Sequence, residues 1–383
     1  MVIMEKTKKS LRYHTKDRHA TWLELFFDLV FVASIDIVAH KLSHTHHGHF
    51  ELTRLMLFPV EFLPIWWIWA THTLYANRFD TDSREHRFAS LTIMFLIIIM
   101  SAFIGQRMFE EYEYFVCFYV VIRLILAGLY LSSTNKLRNS NRYAKITGLV
   151  IVAGAFISSI SVLFPSPVHG SILIASILVE MTIAIFMRRK IKIDPIDCEH
   201  FVERIGLFFI ILLGESVTNL VISLNIDHWN QLNVVAALSG FIMIGAIWWI
   251  FYDSFQYTER IKDMKYGYTL LYSSMLFSIG LIILANLIRH TIINDLDMYH
   301  YRISAFFGII FFLIGKEINY YQFFPPMRPY IWINSIVCIT MTIISTLMPR
   351  PEYALVGMTL SMLFYVFVSY TWTMKRDISA YLE

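Results

Sequence analysis

The sequence predicts an all-α, polytopic integral membrane protein of about twelve transmembrane helices in two related six-helix halves. Hydrophobic residues make up 57% of the 383 and charged ones only 16%, with a mean hydropathy of +0.56, too apolar for a soluble globule. Apolar runs close to the ~20 residues that cross a bilayer recur, centred near residues 31, 65, 97, 122, 154, 178, 212, 242, 278, 311, 338 and 363. Lys and Arg alternate between the two sides of those runs, 25 against 6, with Arg123 left inside one.

The elements follow in order. Residues 1–20, "MVIMEKTKKSLRYHTKDRHA", are polar and basic, without a short apolar core or a small-residue cleavage site. They are expected to be a cytoplasmic tail rather than a cleaved signal peptide, so the first run remains a membrane helix. Residues 21–187 form the first six-helix half, in which Pro59 and Pro64 predict a bend or irregular turn in the second helix. A basic cytoplasmic linker, 188–199, contains Pro195 and leads to the second half, 200–375, and a cytoplasmic tail, 376–383. Because six is even, the halves share one orientation, and both termini of this multi-pass cell-membrane protein are expected to be cytoplasmic. The halves also echo each other. Glu24 and Asp36 are twelve residues apart, as are Glu203 and Glu215, and each pair is followed by a double tryptophan, in "PIWWIWATH" and "GAIWWIFYD".

The first run, "TWLELFFDLVFVASIDIVAH" at 21–40, holds three acids in an apolar context. At about 100° per residue, Glu24 and Asp28 fall ~40° apart and Asp36 ~120° from Glu24, so one face collects them, with His40 extending the row. A carboxylate at membrane depth costs a few kcal/mol and is expected to face protein or water with a partner. Arg123, in "FYVVIRLILAGLY", is the basic residue deepest in an apolar run and is expected to bond a carboxylate of the first or seventh helix. Glu61, Glu180, Asp253 and Asn286 add polar groups at depth. Two readings stand side by side: bridges that fix helix register, or a polar pathway for an ion, proton or small solute through Glu24, Asp28, Asp36, Arg123, Glu180, Glu203, Arg204, Glu215 and Asp253.

Other clusters are weaker signals. Asp80 and Asp82 in "NRFDTDSREHR" have spacing that suits a hard cation or a solvated turn. His44, His46, His47 and His49, beside His40 in "HKLSHTHHGH", are candidate zinc or nickel ligands, although no carboxylate or cysteine completes a site. Cys117, Cys198 and Cys338 are isolated, and Cys117 and Cys338 read as small apolar packing residues. No P-loop, HExxH, GxSxG or dinucleotide fingerprint occurs, so no enzyme is indicated and no cofactor is expected. No basic tract with interleaved aromatics points to nucleic acid. The expected partners are the lipid bilayer and a small solute, proton or metal cation.

"LELFFDLVFV" at 23–32 and "HFVERIGLFFIILLGESV" at 200–217 resemble the two hallmark stretches of the low temperature requirement A (LtrA) family of bacterial membrane proteins. "NRFDTD" at 77–82 is similar to that family's segment after the second helix. The matching positions are Glu24, Phe27 and Asp28; Asn77, Asp80 and Asp82; and His200, Glu203, Arg204, Gly206, Gly214 and Glu215. The resemblance implies the membrane fold and location, while the family name records growth in the cold rather than a reaction. Read with the buried acids, it leads to the expectation of a cation- or proton-coupled secondary transporter with a central polar site containing Asp28, Asp36, Arg123 and Glu215. The alternatives are an ion channel, or a membrane-embedded enzyme or accessory protein acting on lipid in cold adaptation.

Overall fold

The computed structural model describes residues 19–40, 52–79, 83–104, 111–134, 141–190, 196–224, 230–259, 267–323 and 328–374. These residues form twelve α-helices and no strand: α1 Trp22–His40, α2 Leu52–Phe79, α3 Arg84–Ser101, α4 Tyr112–Ser132, α5 Asn141–Ile160, α6 Val168–Lys190, α7 Cys198–Ser223, α8 Gln231–Glu259, α9 Tyr268–Ile293, α10 Met298–Phe323, α11 Arg328–Thr346 and α12 Pro351–Val368. A short 3₁₀ turn, Ser161–Leu163, follows α5, and a π-helical turn, Ser369–Met374, extends α12. Among the described residues nine helices, α4 to α12, are long and apolar enough to cross a membrane. In α1 the three acids interrupt the apolar run, and α3 begins with Arg84, Glu85 and Arg87. The chain is therefore a multi-pass membrane protein. Large apolar side chains such as Phe88, Phe95, Leu163, Ile333 and Phe367 stay exposed, as a surface in contact with lipid tails requires.

Helix ends are set by local chemistry. Thr21 and Glu24 form a capping box at the start of α1. The Thr21 N–H donates to Glu24 Oε2 at 2.8 Å, and the Glu24 N–H donates to Thr21 Oγ1 at 3.2 Å. Ser83 caps α3 by accepting from the His86 N–H. Asn294 closes α9 in the left-handed conformation, φ 56°, with its N–H on the His290 carbonyl. Asp297 then caps α10, accepting from the N–H groups of Tyr299 and His300. Helix α2 runs unbroken through Pro59 and Pro64, so of the expected bend or irregular turn the irregular turn is absent.

The chain divides into two compact units. The first comprises Met1–Phe31, Leu63–Glu203 and Met264–Tyr266; the second, Val32–Phe62, Arg204–Asp263 and Gly267–Glu383. Within the first, α3, α4, α5 and α6 pack in sequence. Its core holds Trp66, Trp69, Tyr75, Tyr119, Tyr130 and Tyr143, with Tyr75 and Tyr130 edge to face and Phe79 stacked on Tyr143. Within the second, α9 packs against α8, α10 and α12, and 83% of its membrane window is buried. It approaches α10 closely because both helices carry glycine at the contact. A Cβ on Gly280 would sit 2.7 Å from Phe312 Cα, and one on Gly315 2.8 Å from Phe277 Cα.

Many of the basic residues counted on the two sides of the apolar runs lie within the helices, and three of them are drawn into the interior. Arg78 ends α2, Arg204 is in α7 and Lys316 is in α10, and all three are buried. Cys338 packs beside Ser361 as expected of a small core residue, whereas Cys117 lies exposed on α4.

Candidate functional site

In the first unit, polar side chains from α1, α2 and α7 converge where α1 begins. Glu24 and His200 are buried, with His200 Nε2 3.2 Å from Glu24 Oε2. Asn77 defines the imidazole's tautomer. Its Oδ1 accepts the Asp197 N–H, so its Nδ2 donates both to the Asp197 carbonyl and to His200 Nδ1, each at 3.0 Å. With Nδ1 accepting, Nε2 carries the proton and donates to Glu24. Glu24 thus combines two tasks, terminating a helix and holding an imidazole. Nearby, Glu203 accepts the Ala20 N–H at 3.0 Å and lies 3.3 Å from His19 Nδ1.

One turn further along α1, Asp28 is fully buried and accepts a hydrogen bond from Trp69 Nε1 of α2 at 2.7 Å. The short distance is typical of an ionic acceptor. Phe27 stacks on His72, their ring centroids 3.9 Å apart, and His72 Nε2 meets Ser90 Oγ at 3.0 Å.

Deeper in the same unit lies an ion pair between Arg123 of α4 and Glu180 of α6, both buried. The expected partner of Arg123 was a carboxylate of α1 or α7; the structure corrects that to α6. Geometry explains the choice. Arg123 Nη1 also donates to Thr71 Oγ1 at 2.9 Å, its guanidinium lies 5.8 Å from the Trp67 ring centroid, and Trp67 Nε1 donates to Glu180 Oε2 at 3.0 Å. Two residues four apart on α2, Trp67 and Thr71, therefore grip both members of the pair. Gly154 of α5 makes room for the carboxylate, since a Cβ there would overlap Glu180. Some hydrogen-bonding capacity remains in this pocket: Arg123 Nε, Glu180 Oε1 and the Tyr119 hydroxyl have no partner among the described residues.

In the second unit, half-buried Asp36 of α1 and Glu215 of α7 approach each other closely enough for a carboxyl–carboxyl hydrogen bond. Two carboxyls so placed are electrostatically compatible when a proton or a cation lies between them. A second network ties α10, α11 and α12 together. Lys316 Nζ donates to the Tyr365 hydroxyl, which donates to Glu317 Oε1 at 2.6 Å, and Ser335 Oγ donates to the same oxygen at 2.6 Å. Sequence reading missed Glu317 and treated Lys316 as a connection residue. The pair "KE" lies near the end of an apolar run, and only the tyrosine from α12 shows it to be interior.

The sequence-derived candidates thus separate. Glu24, His200, Asn77 and Glu203 gather in one place in the first unit, Asp28 has Trp69, Arg123 has Glu180, and in the second unit Asp36 has Glu215. Arg123 is engaged on α6, through Glu180. Arg204 is buried in the second unit. Asn286, read from the sequence as a polar group at membrane depth, donates to the Ile282 carbonyl of its own helix. Asp80, Asp82, His44, His46, His47, His49 and the Asp253 side chain lie outside the described residues. Among the described residues no group of three His, Cys, Asp or Glu is placed to hold a metal ion.

The sequence model of the family described as Bacterial low temperature requirement A protein (LtrA) matches residues 19–372 of this chain. A protein of Rhizobium meliloti (strain 1021), itself uncharacterized, is similar at 23% identity over 325 residues, covering 79% of this chain and 77% of that protein.

Proposed function

This chain belongs to the LtrA family of bacterial membrane proteins, and from that premise we propose that it is a cation- or proton-coupled secondary transporter of a small solute. Its coupling site is the carboxyl pair Asp36–Glu215. The observation that carries this reading is the approach of those two acids from separate helices in a chain of apolar membrane helices. A like-charged pair there needs a positive charge between its members, so binding a proton or a cation is the chemistry it favours. The two acids also hold equivalent places in the repeat read from the sequence, each twelve residues after a glutamate. Equivalent residues meeting is what an axis relating two six-helix halves produces. The buried groups of the first unit supply further exchangeable hydrogen bonds through Glu24–His200 and Arg123–Glu180. We place the protein in the cell membrane with both termini cytoplasmic, on the asymmetry of Lys and Arg.

Proteoliposomes with a trapped pH dye test this. An imposed sodium or potassium gradient is expected to move protons, and Asp36→Asn or Glu215→Gln to reduce that flux about tenfold or more while the protein still inserts and melts normally. Flux that is absent in the wild type, or indifferent to both substitutions, rejects the coupling site. Unitary currents in place of slow, saturable flux would identify a channel.

A further inference from the structure

Between α10 and α11 in the second unit lies a cavity of about 450 Å³. Its wall is largely apolar, made by Leu313, Ile314 and Ile318 of α10 and Trp332 and Ile339 of α11. Ile314, Ile318, Tyr321 and Trp332 are all exposed, so the cavity opens onto the surface that meets lipid tails. Along α10 it runs from Leu313 to Gln322, beside the helix end at Phe323. At about 1.5 Å per residue that is about 14 Å, close to half of the ~30 Å hydrocarbon core. The cavity has the reach of a single leaflet.

Its interfacial rim is built differently. Tyr321 and Trp332 meet edge to face there, with ring centroids 6.3 Å apart. The guanidinium of half-buried Arg328 stacks on the Tyr321 ring at 4.1 Å, and its Nε donates to the Tyr321 carbonyl at 2.9 Å. Among the described residues Tyr321 is its partner through both contacts, so the fork is held in place without an acid. Arg328 is also the one charge between Ile318 and Pro349 in the sequence. Glu317, deeper in the wall, is already balanced, because the Tyr365 hydroxyl joins it to Lys316. A positive rim therefore stands over an apolar slot.

We propose that this cavity holds an anionic phospholipid of the surrounding leaflet, with an acyl chain in the slot and the phosphate on Arg328. The proposal stands apart from the transport reading, because it rests on different residues. A guanidinium fork matches two phosphate oxygens in charge-assisted bonds. Its stacking on Tyr321 fixes the fork beforehand, so little side-chain freedom is lost on binding. A zwitterionic lipid brings the same phosphate, together with a positive charge that Arg328 repels. One Lys or Arg at the membrane surface favours anionic lipid by a factor of about five. A water-soluble anion would use the rim and leave the slot empty. An uncharged apolar molecule would fill the slot and leave the rim unused. A charged headgroup on an acyl chain answers both parts.

The test offers the full chain, purified in a mild detergent, equal amounts of dioleoyl phosphatidylglycerol and dioleoyl phosphatidylcholine, and counts the bound lipid by native mass spectrometry. Phosphatidylglycerol is expected to be retained about fivefold more than phosphatidylcholine, and Arg328→Gln to bring that ratio close to one. Ile339→Trp, which fills the slot, is expected to lower retention of phosphatidylglycerol while the melting temperature holds, a second check should Arg328→Gln misfold. Equal retention of the two lipids overturns the proposal, as does a preference that survives Arg328→Gln or retention indifferent to Ile339→Trp. Glycerol 1-phosphate, which has the headgroup chemistry without the chain, is expected to leave the lipid in place at millimolar excess. Its displacing the lipid would overturn the proposal by assigning the rim to a soluble anion.

Discussion

Arg123 is held by a carboxylate, a hydroxyl and an indole face, all from the first unit. Removing one partner leaves the other charge buried and uncompensated. Arg123→Met is therefore expected to destabilise by about 3–5 kcal/mol, and the double replacement Arg123→Met with Glu180→Leu to recover most of that, as read by thermal melting in detergent. Melting of the double variant below the single one would show that the pair does more than neutralise itself. Outside the membrane segments, burial opposes ionisation of Asp295, but the hydrogen bond and charge of His290 and the charge of Arg289 outweigh it and hold its carboxyl below the ordinary 3.8. His290 Nδ1 donates to Asp295 Oδ1 at 2.6 Å. A lowered folded pKa means that the stabilisation is present above the unfolded value and disappears as pH falls through the folded one. The melting difference between wild type and Asp295→Asn is expected to be present just above 3.8, where His290 is charged, and to close as the medium is acidified below it.

At the scale of elements, α9 and α10 are brought together by absent side chains. Gly280 faces the backbone at Phe312 and Gly315 faces the backbone at Phe277, so neither contact can relax by turning a rotamer. Gly280→Ala is expected to force the helices apart at about 1–3 kcal/mol, seen as a lowered melting temperature, whereas Gly245→Ala, which meets nothing within 4 Å, is expected to be neutral or slightly stabilising. The capping box of α1 was legible in principle, since "TWLE" has its spacing. It went unread because an acid inside an apolar stretch draws attention to depth before it suggests a helix start.

For the whole molecule, orientation is the property most open to direct measurement. With Cys117, Cys198 and Cys338 replaced, Glu5→Cys and Ala380→Cys are expected to resist a membrane-impermeant maleimide on intact cells and to react after permeabilisation. Labelling of either one from outside reverses or breaks the assigned topology. The double tryptophans show that corresponding positions can follow different paths. Trp66 and Trp67 are buried, with Trp67 donating to Glu180, while Trp248 and Trp249 are about half exposed. If the halves descend from one unit, their chemistry has diverged at that mark.

The all-helical, multi-pass membrane class was readable from the chain because hydropathy is a local sum over about twenty residues and needs no knowledge of neighbours; of the twelve runs read that way, nine correspond to helices long and apolar enough to cross a membrane among the described residues. The resemblance carried by residues 23–32, 77–82 and 200–217 likewise depends only on order along the sequence. Partnerships are another matter. Arg123 had several acids within reach in principle, and Glu180 was selected by α2 presenting Trp67 and Thr71 on one face and by Gly154 vacating the space beside it. Lys316 and Glu317 looked like the edge of a run until Tyr365 and Ser335 enclosed them. A buried charge is satisfied by whichever donor packing delivers within about 3 Å, and that distance is a property of helices laid against one another, not of spacing along any one of them.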